Sequence, residues 1–174
     1  MKLFTCYKKV SLILALFSLF VCTNIVEAAD RGIHIAVAKT VKQNTEQRVA
    51  LVVGNWKYAS APLINPKNDS ADIAKALRQQ GFEVIYKTNV NRKKFRMAIR
   101  DFGDRINKGG VGLFYYAGHG MQVKGHNYLI PVGADITRED EITDEAVEGD
   151  LVLRKMDSAN NRMNILILDA CRNN

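Results

Sequence analysis

Cysteine is scarce in this chain, with 3 residues in 174, at Cys6, Cys22 and Cys171. So small and odd a number excludes both a disulfide framework and a cysteine-rich zinc module. Proline is equally rare, and no tract of Pro, Ser, Gln or like charge interrupts the sequence. A disordered, collagenous or linker-like chain is therefore excluded. The longest apolar run, residues 10–22, falls short of the roughly 20 residues that span a bilayer. What is present is 47% hydrophobic and 25% charged residues with a net charge of +7, the profile of one packed globular domain.

The apolar run follows Met1, Lys2, Lys8 and Lys9 and precedes Val26-Glu27-Ala28. A basic start, a short apolar segment and small residues near its end predict a secretory signal peptide over residues 1–28. An uncleaved anchor is the alternative, and Thr23 and Asn24 weigh against it by shortening the run. Cleavage after Ala28 implies an exported protein, periplasmic or secreted, with no further membrane contact. It also removes Cys6 and Cys22, leaving Cys171 as a free thiol with no partner in its own chain. Residues 29–47 read as a spacer before a domain over 48–174. The densest basic cluster is Arg92, Lys93, Lys94, Arg96 and Arg100, on a predicted helix that also carries Asp101 and Asp104. Without interleaved aromatic rings to stack bases it reads as a solvated helix face, not a nucleic-acid surface.

The domain alternates strands and helices. Residues 48–53 form a β-branched apolar strand ended by Gly54-Asn55, and Asn68 or Asp69 caps a helix over 70–80 that stops at Gly81. A strand over 82–86 follows, then a helix capped by Asn91, in which Phe95, Ile99, Phe102 and Ile106 recur at helical spacing. Residues 111–116 give a third strand that runs into Ala117-Gly118-His119-Gly120. A hairpin turning at Gly125, an acidic irregular stretch over 134–150 and a helix over 151–159 capped by Asp150 come next. A fourth buried strand over 163–168 ends in Asp169-Ala170-Cys171. Buried strands between amphipathic helices predict an α/β fold, a mainly parallel sheet covered on both faces. Function in such sheets collects beyond the carboxyl ends of the strands, and the sequence puts His119 and Cys171 just past two of them.

A thiol attacks an acyl carbon as its thiolate, and a free cysteine with pKa ~8.5 is only partly ionised at neutral pH. A neighbouring imidazole can take that proton and later deliver it to the leaving amine. If the third and fourth strands are neighbours, His119 faces Cys171. The N–H groups of Gly120 and Cys171 could then form an oxyanion hole. That is a minimal dyad for acyl transfer.

Three segments carry a family likeness: Tyr115-Tyr116-Ala117-Gly118-His119-Gly120, the run from Ile165 to Asn174 with Asp169-Ala170-Cys171 at its heart, and Ala50 to Tyr58. Together they resemble the large-subunit region of the caspase-like cysteine peptidases (family C14), most of all the bacterial members grouped with metacaspases and paracaspases. The resemblance implies a caspase-like three-layer sandwich, His119 as general base and Cys171 as nucleophile. It also implies a protein or peptide substrate and further strands beyond Asn174, without which the sheet ends at an open edge for a partner to cover. Caspases hold an aspartate side chain with an arginine before the first helix and a glutamine two positions ahead of the nucleophile. Here the 59–66 loop has no arginine, and Asp169 stands in the second position. Metacaspase-like enzymes line this pocket with acidic residues, which the likeness carries to Asp69 and Asp169. Two carboxylates repel an aspartate and pair with arginine or lysine, so cleavage after basic residues is expected.

Other readings stand beside these. His34 and His126, lacking a partner motif, read as structural. Asp69 could be a helix cap, Asp169 a turn ligand and Cys171 a buried inert thiol or a redox sensor. Some metacaspase-like enzymes bind calcium, but the acidic residues Asp135, Glu139, Asp140, Glu141 and Asp144 lack the spacing of a calcium loop, so no cofactor or metal is expected. The alternative function is a non-catalytic caspase-like interaction module.

Overall fold

The computed structural model describes residues 46–106 and 110–172. The expected signal peptide over 1–28 and nearly all of the spacer over 29–47 lie outside the described residues. The elements run β1 (Arg48–Gly54), α1 (Asn65–Gln79), β2 (Glu83–Thr88), α2 (Arg92–Ile106), β3 (Val111–Val123) and β4 (His126–Leu129). After a 3-10 turn at Glu139–Glu141 come α3 (Ile142–Glu145), β5 (Val147–Glu148), α4 (Asp150–Ser158) and β6 (Met163–Arg172).

Four strands are parallel in the order β2-β1-β3-β6. β1 follows one edge of β3 as far as Ala117, and β4 then pairs antiparallel with β3 from Gly120 to Val123 and with the short β5 beyond. β6 follows β3 from Val111↔Met163 to Gly120↔Arg172. Among the described residues no strand pairs with the other edge of β6, where Met163 and Ile167 are more than 40% exposed.

Side chains of β3 alternate between two cores, as the pleat requires. Leu113, Tyr115 and Ala117 pack with Ala50 and Val52 under Ile73, Ala74 and Leu77 of α1. Phe114 and Tyr116 face the opposite layer, built from α2 and α4, where Phe95, Ile99, Phe102, Val152 and Met156 are buried. The result is the three-layer α/β sandwich expected from the sequence. Phe95, Ala98, Ile99, Phe102 and Ile106 form the buried stripe of α2, and Asn91 caps it by accepting the Lys94 N–H on Oδ1 at 2.9 Å.

Several boundaries differ from the sequence expectation. Helix α1 begins at Asn65, because Pro66 in the first turn needs no N–H partner and is preset in φ. Asn68 and Asp69 therefore lie inside the helix and cap nothing. Gly149, not Asp150, occupies the N-cap of α4. The acidic 134–150 stretch holds a 3-10 turn, α3 and β5. Neither His119 nor Cys171 lies past a strand end, since β3 and β6 continue through them as a paired ladder.

Candidate active site

The β3–β6 register sets His119 opposite Cys171 and Ala117 opposite Asp169. The pleat puts His119 on the same face of β3 as Tyr115, the face that α1 covers.

The imidazole of His119 is half-buried and held on two sides. Its Nε2 lies 2.7 Å from the Ala61 carbonyl oxygen. A carbonyl only accepts, so Nε2 carries a proton and, in the neutral imidazole, the lone pair lies on Nδ1. The Tyr58 ring packs against the imidazole at 4.4 Å between centroids. Backbone is held as firmly as the ring. The His119 N–H donates to Tyr58 Oη at 3.1 Å, and the His119 carbonyl accepts from Tyr116 Oη at 2.7 Å and from the Ile130 N–H at 3.0 Å. Tyr58 and Tyr116 also reach the Ile130 carbonyl, at 3.0 and 2.9 Å. Burial pushes both phenols above the ordinary tyrosine value, so they stay protonated as donors. Tyr116 is placed in turn by Phe95 of α2, whose ring stacks on it at 5.7 Å.

The segment carrying Tyr58 and Ala61 is pinned by two side-chain amides. Asn89, in the left-handed region at φ 49°, accepts the N–H groups of Trp56 and Lys57 on Oδ1 at 3.0 Å each. Asn55, fully buried, accepts the Val90 N–H at 2.9 Å and donates to the Ile130 carbonyl at 3.3 Å. Gly118 leaves room for this network, since a Cβ there would lie 2.6 Å from Tyr116 Oη and 2.7 Å from Tyr58 Oη.

Neighbouring residues of a strand aim their N–H groups at opposite edges. His119 directs its N–H and carbonyl to the β1–β4 side, so the N–H of the buried Gly120 is directed to the β6 side, into the β3–β6 ladder beside Cys171. On the α1 face, Tyr115 Oη donates to Asp169 Oδ2 at 3.0 Å. Burial raises the Tyr115 phenol, followed by its hydrogen bond to Asp169 and the charges of Asp169 and Asp69. Both carboxylates thus act on one phenol, the half-buried Asp69 from α1 and the exposed Asp169 from the end of β6.

The chain matches the caspase domain model over residues 47–174. It belongs to the caspase-domain peptidase family. The chain is 31% identical over 137 residues to mucosa-associated lymphoid tissue lymphoma translocation protein 1 of Homo sapiens, covering 75% of this chain and 16% of that protein. With the homologous protein of Mus musculus it shares 30% identity over 128 residues, 73% of this chain and 15% of that one. The chain therefore spans only about a sixth of these relatives.

Sequence reasoning does not find Tyr58, Ala61 or Tyr115 as parts of the caspase-domain site. Ala61 acts through its backbone, which no residue type announces. Tyr58 and Tyr115 sit in segments that read as loop and core strand, and no local pattern marks either of them. A cleft of about 250 Å³ opens beside His119, lined by Tyr58, Ala61, Gly120, Met121 and Ile136 among others. Among the described residues, donors for a metal come together at His126, Glu148 and Asp150, all within 4.8 Å. Here His126 Nδ1 lies 3.0 Å from Asp150 Oδ2 and Arg154 bonds Glu148 at 3.0 Å, so exposed polar contacts between the hairpin and α4 account for the cluster. Among the described residues no helix is long and apolar enough to cross a membrane.

Proposed function

We propose that this caspase domain is a cysteine endopeptidase, with Cys171 as nucleophile and His119 as general base. The observation that carries this reading is the pairing of His119 with Cys171 across β3 and β6, with Nδ1 of the imidazole left as the free base. The Cys171 thiol gives its proton to His119 and the thiolate adds to the scissile carbonyl carbon. The resulting oxyanion accepts from the N–H groups of Gly120 and Cys171, which the β3–β6 ladder releases as substrate binds, each donor contributing about 2.7 to 4 kcal/mol. Collapse expels the amine, which takes the proton from the imidazolium, and a water deprotonated by His119 then hydrolyses the thioester.

Asp69 and Asp169 select arginine or lysine before the scissile bond. In support, no Lys or Arg among residues 46–106 and 110–170 forms an ion pair with either carboxylate, and both act on the same phenol. The edge of β6 that no strand among the described residues pairs with is the surface that a further strand or a partner covers. Peptides differing only at the residue before the scissile bond test the reading: wild-type chain should cleave after Arg or Lys and Cys171→Ala should not. Faster cleavage after Asp overturns the specificity, and turnover retained by Cys171→Ala overturns the nucleophile.

A further inference from the structure

We propose that Tyr115 is a positioning residue for the substrate pocket: its hydroxyl fixes the carboxylate of Asp169 while leaving that carboxylate its full charge for a cationic side chain. The inference rests on the reading of Asp69 and Asp169 as the pocket for a basic residue.

Three features of Tyr115 lead to it. First, the ring is locked. Tyr115 is 4% exposed and lies in the apolar layer with Val52, Ala74 and Ala117, so its hydroxyl has one reachable position. Second, that hydroxyl leaves the layer to meet Asp169 Oδ2 at 3.0 Å. Asp169 is exposed at the end of β6, where a carboxylate otherwise turns freely about its last torsion. One bond from a rigid donor fixes its plane and leaves Oδ1 to receive a ligand. Third, the donor is neutral. Other carboxylates of this chain, such as Asp101, Glu83 and Glu148, are held by arginines, which orient them and cancel their charge. Burial, Asp169 and Asp69 all disfavour ionisation of Tyr115, so it remains a donor across the neutral range in which the carboxylates are charged. A guanidinium reaching between Asp69 and Asp169 then meets two intact negative charges, one of them in a preset plane.

The experiment measures binding of agmatine, a guanidinium without a scissile bond, to the whole chain by calorimetry, so that it does not depend on turnover. Tyr115→Phe deletes only the hydroxyl and should weaken agmatine binding about tenfold, the order expected for a hydrogen bond to a charged group. Tyr86→Phe is the control, since it removes another hydroxyl of the α1 face whose partner is Ser70, and it should bind as wild type does. A second readout follows the ring carbon beside the Tyr115 hydroxyl by NMR: in Asp169→Asn its ionisation should move back toward that of an ordinary tyrosine. If Asp169→Asn and Asp69→Asn weaken binding and Tyr115→Phe does not, the role of Tyr115 is overturned and the pocket stands. If neither Asn variant weakens binding, or wild-type chain does not bind agmatine, the pocket itself is overturned and Tyr115 with it.

Discussion

His119 of β3 and Cys171 of β6 are direct partners in a parallel ladder, so two residues 52 positions apart in sequence are held by backbone pairing and not by loops. A site built on strands is held more tightly than one on loops. The sheet that folds the domain also sets the separation of the proposed base and nucleophile.

This pairing predicts a chemical dependence. Alkylation of Cys171 by iodoacetamide at pH 7 should be fast in wild-type chain and should slow about tenfold or more in His119→Ala, toward the rate of a thiol with pKa ~8.5. Mass spectrometry of the labelled peptide reads the rate at Cys171 alone. Equal rates in the two proteins would show that the imidazole does not assist the thiol.

Tyr58 supports His119 through both its ring and its hydroxyl. Tyr58→Phe keeps the ring contact but leaves the His119 N–H without its acceptor, at about 1 to 3 kcal/mol for a buried group left unpaired. Urea denaturation should show that loss. Tyr58→Ala should cost more, and should reduce peptide turnover beyond the loss in folded protein because the imidazole can then tilt.

Much of this arrangement is legible in the sequence. Hydrophobic period and turn residues find β1, α2 and the β3–β4 hairpin, and Asn91 is recognisable as a cap because its side chain bonds a nearby N–H within its own helix. Asp69 reads as a cap from sequence, but Pro66, three residues earlier, starts the helix sooner than the Asn68-Asp69 pair suggests. His119 reads as lying past a strand end because Gly118 and Gly120 look like a loop. They are there for space: a Cβ on Gly118 would strike two hydroxyls, and one on Gly120 would come within 3.0 Å of the Ala170 side chain. What stays hidden are contacts between distant segments, such as Ala61 with His119 and Tyr115 with Asp169, which local pattern does not encode.

That packing makes Gly118 a sharp test. In Gly118→Ala the new methyl would come within 2.7 Å of both Tyr58 Oη and Tyr116 Oη, and these rings are held by His119 and Phe95 and cannot swing aside. Overpacking of this kind should destabilise by about 1 to 3 kcal/mol. Thermal unfolding measures it, and a Tyr58→Phe background, which removes one of the two colliding oxygens, should soften the loss. An unchanged midpoint in Gly118→Ala would mean that the two hydroxyls do not meet at this point.

The same two phenols predict how stability depends on alkali. Both Tyr58 and Tyr116 have values raised above the ordinary tyrosine range, with burial as the main cause. In the unfolded chain they ionise near ~10, so above that pH the unfolded state has lost protons that the folded state keeps. Their contribution is therefore fully present below about pH 10 and is lost as pH rises through the folded-state values. Urea midpoints from these groups should be level between neutral pH and about pH 9 and fall beyond about pH 10. Tyr116→Phe starts lower, having lost its bonds to the carbonyls of His119 and Ile130, but it has one fewer buried phenol to ionise. Its midpoint should fall less steeply, so that the curves of variant and wild type converge as pH rises. Parallel curves across about pH 8 to 11 would show that Tyr116 is not the group whose proton the fold retains.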